Sequence, residues 1–332
     1  MPRYLNKDKI PLPLAVLLAT DFYDLSDDPK TISATALLKP VKRIILASRL
    51  KGTAEEDISS KIASTNGTAI HEQMEQAWLK NYEQAMLDLG YDQKIVDKMC
   101  INPTAEGLAA FREQFKTEPI PVYLERRTEK PLAGWTISGA FDFVIEDKVY
   151  DLKTTGVYSY IHGSNEDDYI KQMSIYRWLN PTIISKDIGS ILYWFTDWSS
   201  LKASIDKAYP PTRILAKDFD LLSLEDTEEF ITKKLYLIDH LIEADEAVIP
   251  ACSDIELWSS SPTWKYYKNP ASTKRSTKNF TNPFDAATRL ATDGNVGKVV
   301  EHKSQARACG YCPALPICRQ ARQLIAEGRL VV

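Results

Sequence analysis

The run at 139–153, GAFDFVIEDKVYDLK, constrains this chain more than any other segment. Two apolar, β-prone arms flank a polar turn at Glu146-Asp147-Lys148, the pattern of a β-hairpin. With the turn centred on Glu146-Asp147, antiparallel pairing sets Val144 opposite Val149, Phe143 opposite Tyr150 and Asp142 opposite Asp151. Side-chain alternation adds Lys153 to the face that carries the two aspartates. Opposed carboxylates repel, and a hard divalent cation such as Mg²⁺ held between them removes that objection. The spacing D/E-x-K occurs five times, as Asp28-Lys30, Asp92-Lys94, Glu146-Lys148, Asp151-Lys153 and Glu301-Lys303. Only Asp151-Lys153 lies in a strand-like run with an upstream aspartate in register. Spacing alone fits an exposed hairpin with solvated charges equally well, so the surrounding sequence decides.

A chain of 332 residues can bury a large core, in one elaborated domain or two. No apolar run is long enough to span a bilayer. The apolar stretch Leu12 to Ala19 is short, is punctuated by Pro11 and Pro13, and is followed by acidic residues rather than a small-residue cleavage site. A signal peptide is not expected, and the location expected is cytoplasmic. The net charge of −4 conceals an asymmetry. Residues 251–332 carry twelve Lys/Arg against six Asp/Glu, a net of +6, which leaves −10 for the first 250 residues. A basic segment on an acidic body points to a localised electrostatic contact.

The first fifty residues end in a basic amphipathic stretch, ISATALLKPVKRIILASRL. Helical spacing dominates 53–99 and recurs at 104–116. A strand is expected at Ile120 to Arg126, then the hairpin, then a polar loop through His162 to Asn165. A helix follows from about Asp167 to Leu179 and stops at Asn180-Pro181. Ile188 to Ser199 reads as a buried strand, 224–247 as an acidic helix, and Pro283–Thr292 and Ile317–Glu327 as short helices. This order implies an α/β core, a mixed sheet flanked by helices. The expected segments are a basic N-terminal 1–50 packing on the core, a core at 51–250, and a basic, cysteine-containing 251–332.

Gln172 and Tyr176 lie four apart on one face of an otherwise apolar helix. Alone they could cap a core; behind Asp142 and Asp151-x-Lys153 they read as support for a site. His71, on a helix with Glu72 and Glu75 in the next turn, is the best partner for the hairpin from elsewhere in the chain. Only four histidines occur, which argues against a multi-histidine metal site. No G-x-x-x-x-G-K-[ST] loop is present, so ATP hydrolysis is not expected, and no Ser or Cys nucleophile motif stands out.

Taken in order, His71, Asp142, Asp151-x-Lys153 and Gln172-x-x-x-Tyr176 resemble the RecB-type branch of the PD-(D/E)XK nucleases, particularly phage exonuclease-like proteins. The resemblance covers roughly residues 31–325. It implies a restriction-endonuclease-like core with a cysteine-rich C-terminal subdomain. His71, Asp142 and Asp151 would hold Mg²⁺ or Mn²⁺, Lys153 would be catalytic, and Gln172 and Tyr176 would support the site. Glu125 falls where some relatives carry a further acidic residue. The activity implied is phosphodiester hydrolysis in DNA, at double-stranded ends or on single strands, most simply by an exonuclease of phage recombination or processing. A structure-specific endonuclease and a silent nucleic-acid-binding protein on the same fold are the competing readings. A single-strand annealing or recombination partner and a homo-oligomer also come within the resemblance; a membrane does not.

Three of the five cysteines form C-x₂-C-x₅-C at Cys309, Cys312 and Cys318. In a reducing cytoplasm this clustering suits a metal better than a disulfide. Four thiolates usually hold structural Zn²⁺ or an iron–sulfur cluster. CSDIELW with the Lys/Arg/aromatic stretch after it resembles the segment ahead of the cysteine cluster in phage relatives, which implies Cys252 as the fourth. In helicase-linked relatives a cysteine ahead of the nuclease core completes a [4Fe-4S] site, and ISATALLKPVKRIIL contains none. Cys100 and His302 are the alternatives, with Cys100 otherwise a buried free thiol. Between Cys252 and Cys309, TWKYYKNPASTKRSTKNF interleaves cations with aromatics, a pattern that suits phosphate contact plus stacking on unpaired bases, or a solvated basic loop. The expectation is a subdomain that staples the chain ends and walls a DNA channel.

Overall fold

Seven strands form the central sheet in this computed structural model, which describes residues 3–20, 28–50, 55–272 and 274–331. The chain divides into two units, one of Tyr4–Leu38 and Asp57–Tyr236, the other of Met1–Arg3, Lys39–Glu56 and Leu237–Val332.

The first unit holds the sheet. Its strands are β1 (Thr31–Ser33), β2 (Met99–Ile101), β3 (Ile120–Leu132), β4 (Trp135–Ile145), β5 (Lys148–Thr155), β6 (Ile188–Phe195) and β7 (Ile214–Asp220). They run in the order β2-β3-β4-β5-β6-β7, with β1 joined to β4 in parallel. Two hairpins shape the centre. Glu146 and Asp147 both take positive φ, 51° and 62°, as a two-residue type I′ turn requires. Ala133 and Gly134 do the same between β3 and β4, at 49° and 78°. The register expected for the 139–153 hairpin is observed for Phe143↔Tyr150 and Val144↔Val149.

The third expected pair is not formed. The ladder stops at Phe143↔Tyr150, and the Leu152 N–H donates to the Asp142 carboxylate at 2.7 Å. Farther along the strand, Thr136–Ser138 of β4 pair with β1. The strands therefore part where Asp142 sits, and Asp142 and Asp151 are not ladder partners.

Helix packing follows from the sequence. The Ile62–Lys80 helix places Met74 and Trp78 against the cluster of Val122, Leu124 and Phe143, with the Trp78 and Phe143 rings 5.0 Å apart. The Glu166–Leu179 helix carries Glu166, Asp167 and Asp168 in its first turn, where the helix dipole favours anions, and ends at Asn180 before Pro181. It crosses the sheet closely. A Cβ on Gly139 would lie 2.7 Å from Leu179 Cδ1 and 3.3 Å from the Tyr176 ring, so only glycine fits beneath it.

The second unit contains a three-stranded sheet, β8 (Thr263–Tyr267), β9 (Lys278–Phe280) and β10 (Lys298–His302), in the order β9-β8-β10. The basic stretch has β8 and β9 at its two ends, paired as a hairpin, with residues 268–277 connecting them. The Pro283–Thr292 helix lies where expected, and Arg319–Ala326 occupies the other helical segment. Tyr266 and Tyr267 are buried, and the Tyr266 hydroxyl donates to Asp293 at 2.7 Å. These two rings are committed to the subdomain's own packing and do not offer stacking faces. Lys268, Lys274, Arg275 and Lys278 are exposed, so the electrostatic half of the expectation is what this hairpin presents.

Among the described residues no helix is long and apolar enough to cross a membrane.

Candidate active site

The parting of β4 from β5 opens the place where the expected residues gather. Gly67 lets the Ile62–Lys80 helix come against β5, since a Cβ there would meet Thr154 Oγ1 at 3.3 Å. One turn later His71 reaches in. Its Nε2 lies 3.2 Å from the Leu152 carbonyl, and its Nδ1 lies 3.4 Å from both Glu125 Oε1 and Asp142 Oδ1. Both ring nitrogens face acceptors, which suits the doubly protonated imidazolium. Burial opposes that charge, but the Asp142 and Glu125 carboxylates outweigh it and raise the His71 pKa from 6.5 to about 10.

The ligand-type atoms of His71, Glu125 and Asp142 lie within 4.8 Å of one another. Two of these three residues belong to the expected metal set. Glu125 is the addition, reached through its backbone: within β3 it takes φ of 43°, between the ladder pairs Leu124↔Phe143 and Arg126↔Phe141. A left-handed non-glycine residue in a strand costs about 1–3 kcal/mol, and here it accompanies a carboxylate placed at Asp142. The acidic residue in VYLERR was the signal available in the sequence; the backbone conformation was not legible there.

Asp151 takes a different position from the one expected. It is 1% exposed, and its Oδ2 meets Lys153 Nζ at 2.5 Å. Burial raises its pKa; Lys153 opposes the shift and Asp142 adds to it, leaving a value of about 6. Lys153 also donates to Gln172 Oε1 at 2.9 Å. Burial disfavours the ammonium, yet the Asp151 and Asp142 charges prevail and raise its pKa. Gln172 in turn donates from Nε2 to the Tyr176 hydroxyl at 2.8 Å. Burial holds the Tyr176 phenol well above its ordinary pKa, so it stays neutral. The run Asp151–Lys153–Gln172–Tyr176 is therefore continuous, with the lysine cation at its centre.

A second cluster lies in the other unit. Cys252, Cys309, Cys312 and Cys318 line one small cavity of about 30 Å³. Cys252 is tied to the Arg319–Ala326 helix, donating its N–H to Gln320 Oε1 at 2.9 Å and accepting from Gln320 Nε2 at 2.8 Å. Burial pushes its thiol up to about 12, with Glu256 and the other three cysteines adding to the shift. Lys42 lines the same cavity and pairs with Glu246 at 3.2 Å, both buried. Cys100 lies apart on β2, half-buried, and His302 is exposed on β10.

No protein-family model matches this chain, and no curated protein matches it. Among solved structures it is similar to SSO0001, at 18% identity and a TM-score of 0.37 over 64% of this chain and 79% of that one. It is also similar to a phage-related exonuclease from Haemophilus somnus 129PT, at 17% identity and a TM-score of 0.27, over 64% of this chain and 95% of that one. The alkaline exonuclease LHK-Exo from Laribacter hongkongensis matches at 13% identity and a TM-score of 0.26, over 41% of this chain and 64% of that one. These likenesses are too distant to assign a reaction or a substrate.

Proposed function

We propose that this chain is a divalent-metal-dependent deoxyribonuclease with a PD-(D/E)XK-type site, acting as an exonuclease in phage DNA recombination or processing. The observation that carries the reading is the pair of buried Asp151 and half-buried Lys153 set beside the converging His71, Glu125 and Asp142. The donor set fits Mg²⁺ or Mn²⁺. Its oxygens are hard, and Glu125 Oε1 is buried with no aligned hydrogen bond, facing His71 Nδ1 at 3.4 Å, so it is open to a cation once His71 gives up its proton. His71, Asp142 and Asp151 would hold the ion, joined by Glu125. Bound there, it would supply Lewis acidity and a more acidic water.

The chain's own residues do the rest. Lys153 keeps a fixed positive charge where phosphate charge builds during cleavage. Asp151 and Gln172 hold that ammonium from two sides, and Tyr176 fixes the Gln172 amide so that its oxygen faces the lysine. The neutral Tyr176 adds no competing charge. A silent binding protein has no need of a lysine cation kept this way at the cost of burial.

The four cysteines are proposed to hold a [4Fe-4S] cluster or structural Zn²⁺, supported by their shared cavity and by the soft sulfur donors that both centres take. DNA is the proposed partner. Its contact would draw on the exposed cations of the β8–β9 hairpin, and an annealing partner and self-assembly belong to the same proposal. The direct test is degradation of linear DNA in Mg²⁺ or Mn²⁺ with a chelator control. Closed circular DNA distinguishes the exonuclease, which leaves it intact, from an endonuclease. No cutting with either metal would favour the silent binding protein.

A further inference from the structure

The Lys153 ammonium has a third neighbour besides Asp151 and Gln172. The Tyr169 ring centroid lies 5.5 Å from Lys153 Nζ. Tyr169, Gln172 and Tyr176 fall at i, i+3 and i+7, so they share the helix face that already reaches the lysine through Gln172. Tyr169 is only 9% exposed, and Asn165 Nδ2 donates to its hydroxyl at 3.3 Å.

The ring is braced from behind. Tyr193, fully buried, pairs in register with Lys153 on the neighbouring parallel strand and meets Tyr169 at 6.2 Å and 67°. Tyr193 is packed in turn by Tyr160, edge-on at 5.2 Å, and by Phe195, stacked at 5.7 Å. An aromatic block thus stands beside β5, and one of its rings, Tyr169, faces the Lys153 cation.

We propose that Tyr169 is a positioning residue of this site. Its ring holds the Lys153 ammonium by cation–π attraction and keeps it directed at the phosphate, and its hydroxyl is dispensable. The inference rests on the nuclease reading above. A partly desolvated cation over a ring gains enough to matter in a rate, and the gain comes from the ring's quadrupole rather than from its volume.

The test replaces Tyr169 with Phe, with Leu and with phenylalanines of increasing fluorination, which keep the shape and drain the quadrupole. Thermal melting serves as the fold control. Tyr169→Phe should keep kcat within about twofold, and Tyr169→Leu should lower it about tenfold with KM unchanged. Across the fluorinated series log kcat should fall in step with the weakened quadrupole. A flat series, or a Leu variant as active as Phe, would overturn the proposal. If the wild-type protein cuts no DNA, the nuclease reading fails, and the contact is still tested by NMR. The Lys153 Cε protons should carry a ring-current shift in wild type and Tyr169→Phe and lose it in Tyr169→Leu; equal shifts in all three would overturn it.

Discussion

At the residue scale, the candidate site was legible wherever proximity followed spacing. Asp142, Asp151, Lys153, Gln172 and Tyr176 could be named because a hairpin register and an i, i+4 helix pair are local rules. The arrangement they adopt was not legible. Asp142 leaves the ladder because its carboxylate takes the Leu152 N–H, and Asp151 turns to Lys153. Glu125 depends on a left-handed backbone that no residue type there demands.

His71 supplies a pH prediction. Its folded pKa of about 10 exceeds the ordinary 6.5, so in the metal-free protein its proton stabilises the fold fully below about 6.5. That contribution is lost as pH rises through about 10. A divalent ion at Asp142 and Glu125 must displace this proton. Mn²⁺ binding followed by calorimetry should therefore release protons, with affinity rising from pH 6.5 towards 10. Affinity independent of pH in that window would show that His71 is not coupled to the ion.

At the element scale, the helices and the hairpin were readable from periodicity and turn chemistry. The tail sheet was not, because Ser, Thr, Asn and Lys around Tyr266 and Tyr267 hide short strands that only their partners define. Closest approach was also invisible. Gly139 looks like any strand glycine until the Glu166–Leu179 helix is laid over it. Gly139→Ala would push a methyl into Leu179 and the Tyr176 ring. Overpacking of this kind costs about 1–3 kcal/mol, seen as a lower denaturant midpoint. DNA cutting should fall as well, because Tyr176 anchors Gln172; an unchanged midpoint and rate would mean the helix yields freely.

At the scale of the whole molecule, the sequence pointed to a mixed sheet and to a fourth cysteine ahead of the cluster. The structure has the sheet, and it brings Cys252 to the same cavity as Cys309, Cys312 and Cys318 through Gln320. What composition could not give was the membership of residues 39–56, which group with the C-terminal unit and line the cysteine cavity with Lys42. Protein purified without oxygen should contain iron with sulfide, or zinc, and Cys252→Ser should lose most of it. Wild-type protein free of both would remove the metal from this account.

The claim at the centre is that Lys153, held by Asp151 and Gln172, serves metal-dependent cleavage of DNA. The most direct measurement is the rate of linear DNA degradation in Mg²⁺ by wild type and by Lys153→Ala, with melting curves for both. Wild type should degrade DNA in a chelator-sensitive way, and Lys153→Ala should still fold and lose activity on the order of 10²-fold or more. A folded Lys153→Ala protein that degrades DNA at the wild-type rate would contradict it.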